Sequence, residues 1–581
     1  MAELALMLAK QIIIGFFFIC LFIGWGAIFL KLIIKEFQFD NFLQQLFIKG
    51  VIGISFCIFY LAALSSVGIM YKYLLLFLLI GLYGLKFIRV TKMNLLHLAC
   101  IFMLTLPVMF LTLYPPMRWD DLSFHLPIAQ SIIDTHKLSF NSYIRYPVFP
   151  SNGELLLTLG LAINENVAQL MPWICMFFIS MGSMSFMLYK VRMRSTYLFL
   201  ILFLSSSMVI YMSAVSYIDI ILALYVTAAI YFFELFRRKQ QQGWIWFAGM
   251  ALGIAVGIKY SALIFCLILG FYLLIRKQWK PFTWLTAITC LVSLPWFIRN
   301  IYFTANPVWP FLSSIFGESD IWSTQDYQGQ FADFEASGVP KTLMNFIRLP
   351  LYLSSSHEGG LSIAIWFGLL IFLLFYKKKE ADWLLLIVFG CFTLSWFFSI
   401  NLVRYFLPIV PVMIIMSALG YDYFFKQLND KKLKLSFIGL IFIFGLFMES
   451  KIIKEKVSAL PLPSLNSELK YNYLAGILPT YKATRLAASS DGLTYGLLNE
   501  NMHYYGEGKV VGDWFGPFRY SHLLSHLGNP DIIYKYLKDS KISNLLISKS
   551  RLNEDQLKEL KLDSRFILKY EDNFASLYQL K

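Results

Sequence analysis

Two adjacent carboxylates, Asp120 and Asp121, open the stretch Trp119-Asp120-Asp121-Leu122-Ser123-Phe124-His125-Leu126-Pro127, which follows a long apolar run. Like charges this close repel, which raises the pKa of at least one of them unless a cation or metal answers. Such a carboxyl can act as a general base or hold a divalent ion. The competing reading is structural, with Asp121 capping a helix and the acids satisfying its first turn. His125 lies four residues after Asp121 and shares its face if the segment is α-helical. That spacing without a third ligand is weak support for zinc, and a hydrogen-bonded structural histidine is the simpler reading.

A second set of residues consists of cations at the ends of apolar runs. Lys259 lies in Gly257-Ile258-Lys259-Tyr260-Ser261, Arg299 in Pro295-Trp296-Phe297-Ile298-Arg299-Asn300, and Arg404 in Asn401-Leu402-Val403-Arg404-Tyr405-Phe406. Each lies close to an aromatic residue, and the three can converge on a phosphate, Arg as a bidentate fork and Lys as a point charge. The alternative is snorkelling to lipid headgroups or pairing with carboxylates such as Asp219. Asp219, in Ser216-Tyr217-Ile218-Asp219, opens an apolar run, where a carboxylate suggests pairing with a cation or substrate binding. Residues 299–360 add Asn306-Pro307-Val308-Trp309-Pro310 and a polar, aromatic stretch from Trp322 to Phe334, which read as a re-entrant or lid segment over a cavity. There is no Walker A loop and no Gly-x-Gly-x-x-Gly after a strand.

The elements that must position these groups follow from composition. Apolar residues make up 58% of the chain and charged residues 15%, against roughly 45–50% and about 25% in soluble domains. Mean hydropathy is +0.63. The chain therefore reads as an all-α polytopic membrane protein. A bilayer core of about 30 Å needs roughly 20 apolar residues per helix. On that ruler about fourteen spans are expected, near 11–34, 46–69, 73–88, 95–114, 167–189, 195–214, 216–236, 244–257, 261–275, 282–298, 361–376, 383–400, 403–424 and 435–449. The first has no cleavable leader pattern and is expected to be retained.

Charge sets the orientation. Alternate loops collect 22 Lys and Arg, from Lys31, Lys35 and Lys49 through clusters such as Lys86/Arg89/Lys92 and Lys377/Lys378/Lys379 to Lys426, Lys431, Lys432 and Lys434. The intervening short loops hold only Lys72, Lys259 and Arg404. By the positive-inside rule both termini and the long regions 115–166, 299–360 and the tail face outward. The net charge of +15 is thus an orientation signal, with no compact basic face in a soluble segment, which argues against a nucleic-acid partner. Outward chemistry has no access to cytosolic nucleotides, which points to a substrate carried on a lipid phosphate.

Residues 1–450 are expected as the membrane domain and 451–581 as a small outward α/β domain. Arg485–Ser489, Lys509–Val511, Asn544–Ser548 and Phe566–Tyr570 read as its strands, Pro530–Lys538 and Glu554–Lys561 as its helices. Stretches 126–137 and 154–163 are mildly amphipathic and read as interfacial. The seven cysteines all fall in apolar stretches and read as small buried hydrophobes, leaving none for an exposed disulfide framework.

Taken in order, these pieces resemble the GT-C superfamily of polytopic glycosyltransferases, over about residues 95–425. The likeness rests on Asp120-Asp121 with His125 and Pro127, then Tyr146-Pro147…Pro150…Glu154, Tyr217-Ile218-Asp219, Gly257-Ile258-Lys259-Tyr260, Pro295-Trp296…Arg299-Asn300…Asn306-Pro307…Pro310 and Arg404-Tyr405…Pro408…Pro411. The chain lacks the Trp-Trp-Asp-Tyr-Gly motif of oligosaccharyltransferases and the added lectin-like domain of protein mannosyltransferases. It resembles the bacterial membrane domains of protein mannosyltransferase and lipid A aminoarabinose transferase type.

The resemblance implies an inverting sugar transfer from a polyprenyl-phosphate-linked donor to a glycan, lipid or protein acceptor of the cell envelope, at a bacterial inner membrane. Asp120 would deprotonate the acceptor hydroxyl, with Asp121 as its partner or as ligand to an optional divalent ion. Lys259, Arg299 and Arg404 would hold the lipid phosphate. His125, Asp219, Tyr260, Asn300 and Tyr405 would complete the substrate site. Two other readings remain open: a transporter or flippase of lipid-linked glycans, which should place polar residues through the bilayer midplane, and an envelope glycan polymerase or ligase.

Overall fold

Long runs of Leu, Ile and Phe form helices here because a bilayer offers the backbone no other hydrogen-bond partners. A computed structural model describes residues 2–33, 38–88, 92–355, 359–378, 380–456 and 462–581. Lys35, Arg89 and Lys379 of the charge pattern lie outside the described residues. Among the described residues seven helices are long and apolar enough to cross a bilayer: Glu3–Ile33, Phe42–Ser66, Asn94–Leu111, Glu165–Leu188, Asp219–Lys239, Trp279–Thr304 and Val403–Gln427. Shorter apolar helices occupy Ser195–Leu204, Gln242–Val256, Tyr260–Ile275, Ile363–Leu374 and Asp382–Phe398. The chain is an integral, multi-pass membrane protein, although length alone does not give fourteen full spans.

Two of the expected spans take other forms. The segment 73–88 winds as a 16-residue 3₁₀ helix, Lys72–Phe87, whose rise of about 2.0 Å per residue still matches a bilayer core. The segment 195–214 breaks into Met193–Leu204 and Ser207–Met212. At the break the Ser205 hydroxyl donates back to the Leu202 carbonyl and the Ser206 hydroxyl to the Gly360 carbonyl, competing with the helical ladder.

The first two helices pack at glycines. A Cβ on Gly26 would lie 1.8 Å from the Lys49 carbonyl oxygen, and one on Gly53 would lie 1.7 Å from that of Phe22. Backbone cannot yield as a flexible side chain can, so Gly53→Leu is expected to cost about 3 kcal/mol or more. The measurement is the yield and thermal midpoint of monodisperse protein in detergent. A variant as stable as the parent would mean that the helices do not meet there.

Of the two stretches expected at the interface, Asn152–Leu161 is instead buried along its whole length. Its apolar residues join the main core, Glu154 pairs with His125, and Asn152 donates to the Ile254 carbonyl. The cysteines are all free, but only Cys57 and Cys175 are buried, while Cys290 and Cys391 are exposed on apolar helices.

The C-terminal domain carries one five-stranded sheet. Its strands are β1 (Leu493–Leu497), β2 (Val510–Val511), β3 (Ile542–Ser548), β4 (Phe566–Glu571) and β5 (Ala575–Leu580), in the order β2-β1-β3-β5-β4. β2, β1 and β3 run parallel, and β5 is antiparallel to both β3 and β4. Central β3 is buried on both faces, as a covered strand should be. Arg485–Ser489, expected as a strand, belongs to helix Tyr481–Ser489. Ala483 and Ala487 recur at helical spacing and pack on the sheet residues Val510, Leu546, Ala575 and Leu577, a period that a five-residue window does not resolve.

Just after β1, Glu500 is fully buried. It accepts from the Arg551 guanidinium at 2.7 and 2.8 Å, the Tyr520 hydroxyl at 2.8 Å and the Trp514 indole N–H at 3.0 Å. Burial pushes its carboxyl up, but the Arg551 hydrogen bonds and charge, with the Tyr520 bond, outweigh that and hold it below the ordinary glutamate range. A depressed folded-state pKa contributes stability above the unfolded value of about 4.3 and loses it as pH falls through the folded value. Arg551→Met should strand a buried charge at a cost of about 3–5 kcal/mol at neutral pH. It should also reverse the pH trend, because burial alone favours the protonated acid. Thermal unfolding of both proteins at neutral and mildly acid pH checks the sign, and parallel pH profiles would contradict it.

Candidate active site

Asp120 sits where the chain enters a single turn of π-helix, Asp121–His125, ahead of helix Leu126–Thr135. The wider i→i+5 turn changes the expected geometry. It brings His125, five residues on, to the same cavity as Asp120, whereas Asp121 is 0% exposed and does not line that cavity. Asp120 donates its backbone N–H to the Tyr217 hydroxyl oxygen at 3.2 Å. Its carboxylate meets the Arg404 guanidinium at 2.6 Å.

Lys259 occupies an extended residue between helix Gln242–Val256 and the short 3₁₀ turn at Tyr260–Ala262. Asn152 pins that break. Its backbone N–H donates to the Gly257 carbonyl at 2.8 Å, its side chain donates to the Ile254 carbonyl at 3.1 Å, and it accepts from the Trp296 indole at 3.1 Å. The Lys259 ammonium then lies 3.1 Å from Asp219 and 3.5 Å from the Tyr405 ring centroid. The Arg404 guanidinium sits 5.1 Å from the Tyr217 ring centroid. Buried His125 pairs through Nδ1 with Glu154 at 2.8 Å.

The fold therefore gathers Asp120, His125, Asp219, Lys259, Tyr260, Arg404 and Tyr405 around connected cavities. It leaves three expected residues out of the lining. Arg299 donates to the carbonyls of Ser139 and Pro147, at 3.3 and 2.8 Å, and so ties down the loop between helices Leu126–Thr135 and Asn152–Leu161. Asn300 donates to the Pro307 carbonyl at 3.0 Å and to the Tyr260 hydroxyl, which positions that ring. Asp121 is the third. Arg145, absent from the expected set, does line the site. It lies in the long region 115–166 with Arg118 and Lys137, away from any apolar run, so neither the charge rule of the short loops nor the apolar-run criterion singles it out.

Two cavities meet at Asp120. One is mainly apolar, about 490 Å³, and runs past Lys259 and Asp219 along Ile264, Leu267, Phe392 and Trp396. The other is polar, about 330 Å³, and is walled by Arg145, Arg404, helix Thr324–Ser337 and the C-terminal Trp514. Phe124, Tyr146, Phe334 and Tyr405 border both. Two carboxylates and two cations balance at the junction, in an environment where each charge is worth more than in water. The residues present do not suit a divalent ion. Asp120 is taken by Arg404, Asp121 lies off the cavity, and no cluster of three His, Cys, Asp or Glu occurs among the described residues.

Residues 150–300 match the model of the dolichyl-phosphate-mannose-protein mannosyltransferase family. Residues 470–579 match a family described as SF2091/S2213. The uncharacterized protein SF2093/S2215 of Shigella flexneri is 39% identical over 93 residues, 16% of this chain and 45% of that protein, so the match spans less than half of the relative. A second Shigella flexneri protein, SF2092/S2214, is 22% identical over 171 residues, 29% of this chain and 88% of its own length. Among solved structures, ArnT from Cupriavidus metallidurans bound to undecaprenyl phosphate superposes with a TM-score of 0.53 at 12% identity, and its apo form with 0.54 at 13%. Each comparison covers 83% of this chain and 97% of ArnT.

Proposed function

This chain is a polytopic membrane protein with the GT-C fold, and from that premise we propose that it is a glycosyltransferase. It moves a sugar from a polyprenyl-phosphate-linked donor to a cell-envelope acceptor, on the extracytoplasmic side of a bacterial inner membrane. The observation that carries this reading is the Asp120 carboxylate at the junction of an apolar and a polar cavity, ion-paired to Arg404 and beside Lys259. The undecaprenyl phosphate held by the ArnT of similar fold supports a prenyl chain in the apolar cavity. The charge asymmetry of the loops supports the outward placement.

In this mechanism Asp120 takes the proton of the acceptor hydroxyl. That oxygen attacks the anomeric carbon as the carbon–oxygen bond to phosphate breaks, with inversion, and the polyprenyl phosphate leaves with the bonding pair. Lys259 and Arg404 neutralise the charge that develops on the leaving phosphate. Arg404 has five N–H donors and can hold carboxylate and phosphate together. A bound phosphate draws on the same cation that pairs with Asp120. Tyr217 and Tyr405 hold the two cations over their rings, and Asp219 orients Lys259.

Purified full-length protein supplied with an undecaprenyl-phosphate-linked single sugar and envelope acceptors tests the reading. Formation of a new glycosidic bond is expected. Movement of the intact donor across proteoliposomes without bond formation would replace the reading with a flippase, and a demand for oligosaccharide donors would replace it with a polymerase or ligase.

A further inference from the structure

The polar cavity holds a combination that the proposed chemistry does not use. Trp119 and Trp514 line it with 43% and 42% of their surfaces exposed, yet both are anchored. The Arg551 guanidinium lies 5.0 Å from the Trp119 ring centroid. The Trp514 indole N–H donates to buried Glu500 at 3.0 Å, and its ring packs edge-on against Tyr520 at 5.3 Å. Large apolar rings held open to solvent by fixed partners are a costly arrangement for a structural tryptophan, and a natural one for a platform.

The polar groups around them differ in their engagement. Arg145 is committed to Asp513 at 2.7 Å, and Arg404 to Asp120 at 2.6 Å. Asp333 lines the cavity, and its carboxylate makes no ion pair or hydrogen bond among the described residues. Gln330 is buried and accepts from the Tyr146 hydroxyl, which leaves its amide N–H₂ without an acceptor among the described residues. Two flat apolar surfaces, a carboxylate and an amide donor suit a ring with apolar faces and a rim of hydroxyls. The unpaired carboxylate disfavours an anionic ring. Among the described residues no strand lines this cavity, so it offers a peptide no sheet edge, and the apolar cavity suited to a prenyl chain lies on the other side of Asp120.

In-line displacement places the nucleophile opposite the leaving group. With phosphate and prenyl chain on the Lys259 side, the acceptor must arrive through the polar cavity. We infer, resting on the glycosyltransferase reading, that this cavity takes the terminal ring of a neutral or amino sugar as acceptor, stacked on Trp514 and Trp119, with its reacting hydroxyl at Asp120 and a second hydroxyl or amine at Asp333. The C-terminal domain then selects the acceptor, because Trp514 and the anchors of both indoles belong to it.

The test is saturation-transfer NMR on the full-length protein in nanodiscs, with a panel of methyl hexopyranosides, the matching methyl aminohexosides, methyl glucuronide and the tripeptide acetyl-Asn-Ala-Thr-amide. Undecaprenyl phosphate affinity is measured separately. Ring-proton saturation is expected for neutral or amino sugars and at least fivefold less for the glucuronide. It should fall at least fivefold in Trp514→Ala and return in Trp514→Phe, which keeps the flat ring. Asp333→Asn should abolish any preference for the aminohexosides. Undecaprenyl phosphate should bind Trp514→Ala as it binds the parent, which also reports that the variant is folded. The inference is overturned if no sugar in the panel binds, if the glucuronide or the tripeptide binds best, or if Trp514→Ala leaves the sugar signals intact. A parent protein that binds sugars in this way but not undecaprenyl phosphate would uphold the cavity's occupant and instead remove the donor assignment.

Discussion

Asp120→Asn is expected to reduce sugar transfer by roughly 10²–10⁴-fold, the range a lost general base commands, with membrane insertion and thermal stability close to those of the parent. The carboxamide has the shape of the carboxylate and its oxygen can still accept from Arg404, but it cannot take up a proton at neutral pH. The separation of effects is the informative part. Asn at this position releases part of the claim on Arg404, so undecaprenyl phosphate should bind the variant at least as tightly as the parent while turnover collapses. The measurement pairs single-turnover transfer from an undecaprenyl-phosphate-linked sugar with a direct binding titration of undecaprenyl phosphate. Activity within tenfold of the parent would sink Asp120 as the base. A parallel loss of donor binding would show that its role is in holding the site together.

The second large effect concerns the phosphate. Removing Lys259 should weaken undecaprenyl phosphate binding by roughly 10–100-fold, since a charge-assisted hydrogen bond contributes about 1.5–3 kcal/mol. Lys259→Met alone is ambiguous, because it strands Asp219, which is 2% exposed and 3.1 Å from the lysine. A buried carboxylate left without its partner costs about 3–5 kcal/mol. The double variant Lys259→Met/Asp219→Asn removes both charges, should regain most of that stability, and should still bind the donor poorly. Arg404→Gln should weaken binding comparably and also free Asp120. If the double variant and Arg404→Gln both bind undecaprenyl phosphate as the parent does, these cations are not the phosphate site.

Arg299 and Arg404 show where reading residues along the chain stops. Both follow an apolar run, both have aromatic neighbours, and both were expected to meet a phosphate. In the fold, Arg404 reaches a carboxylate at the cavity junction while Arg299 is taken by two loop carbonyls. Nothing local distinguishes them, because the carbonyls that claim Arg299 come from residues 139 and 147, more than 150 positions away. The acidic pair divides in the same way. Asp120 and Asp121 are chemically identical neighbours, yet the first lines the cavity and the second lies in the interior.

What the sequence determined by itself was everything that scales with local composition: a membrane-spanning chain, the positions of its apolar helices, a polar C-terminal α/β unit, and a short roster of charges placed where charge is expensive. These properties follow from transfer free energies summed over about 20 residues at a time, so each window carries its own answer. Only the tertiary structure decided which of those charges meet, that two expected spans take the form of a 3₁₀ segment and a broken helix, and that Trp514 and Arg145 would wall a cavity with residues nearly 400 positions away. Ion pairing and cavity formation depend on separations of a few ångströms between segments remote in the chain, a quantity that no local window contains.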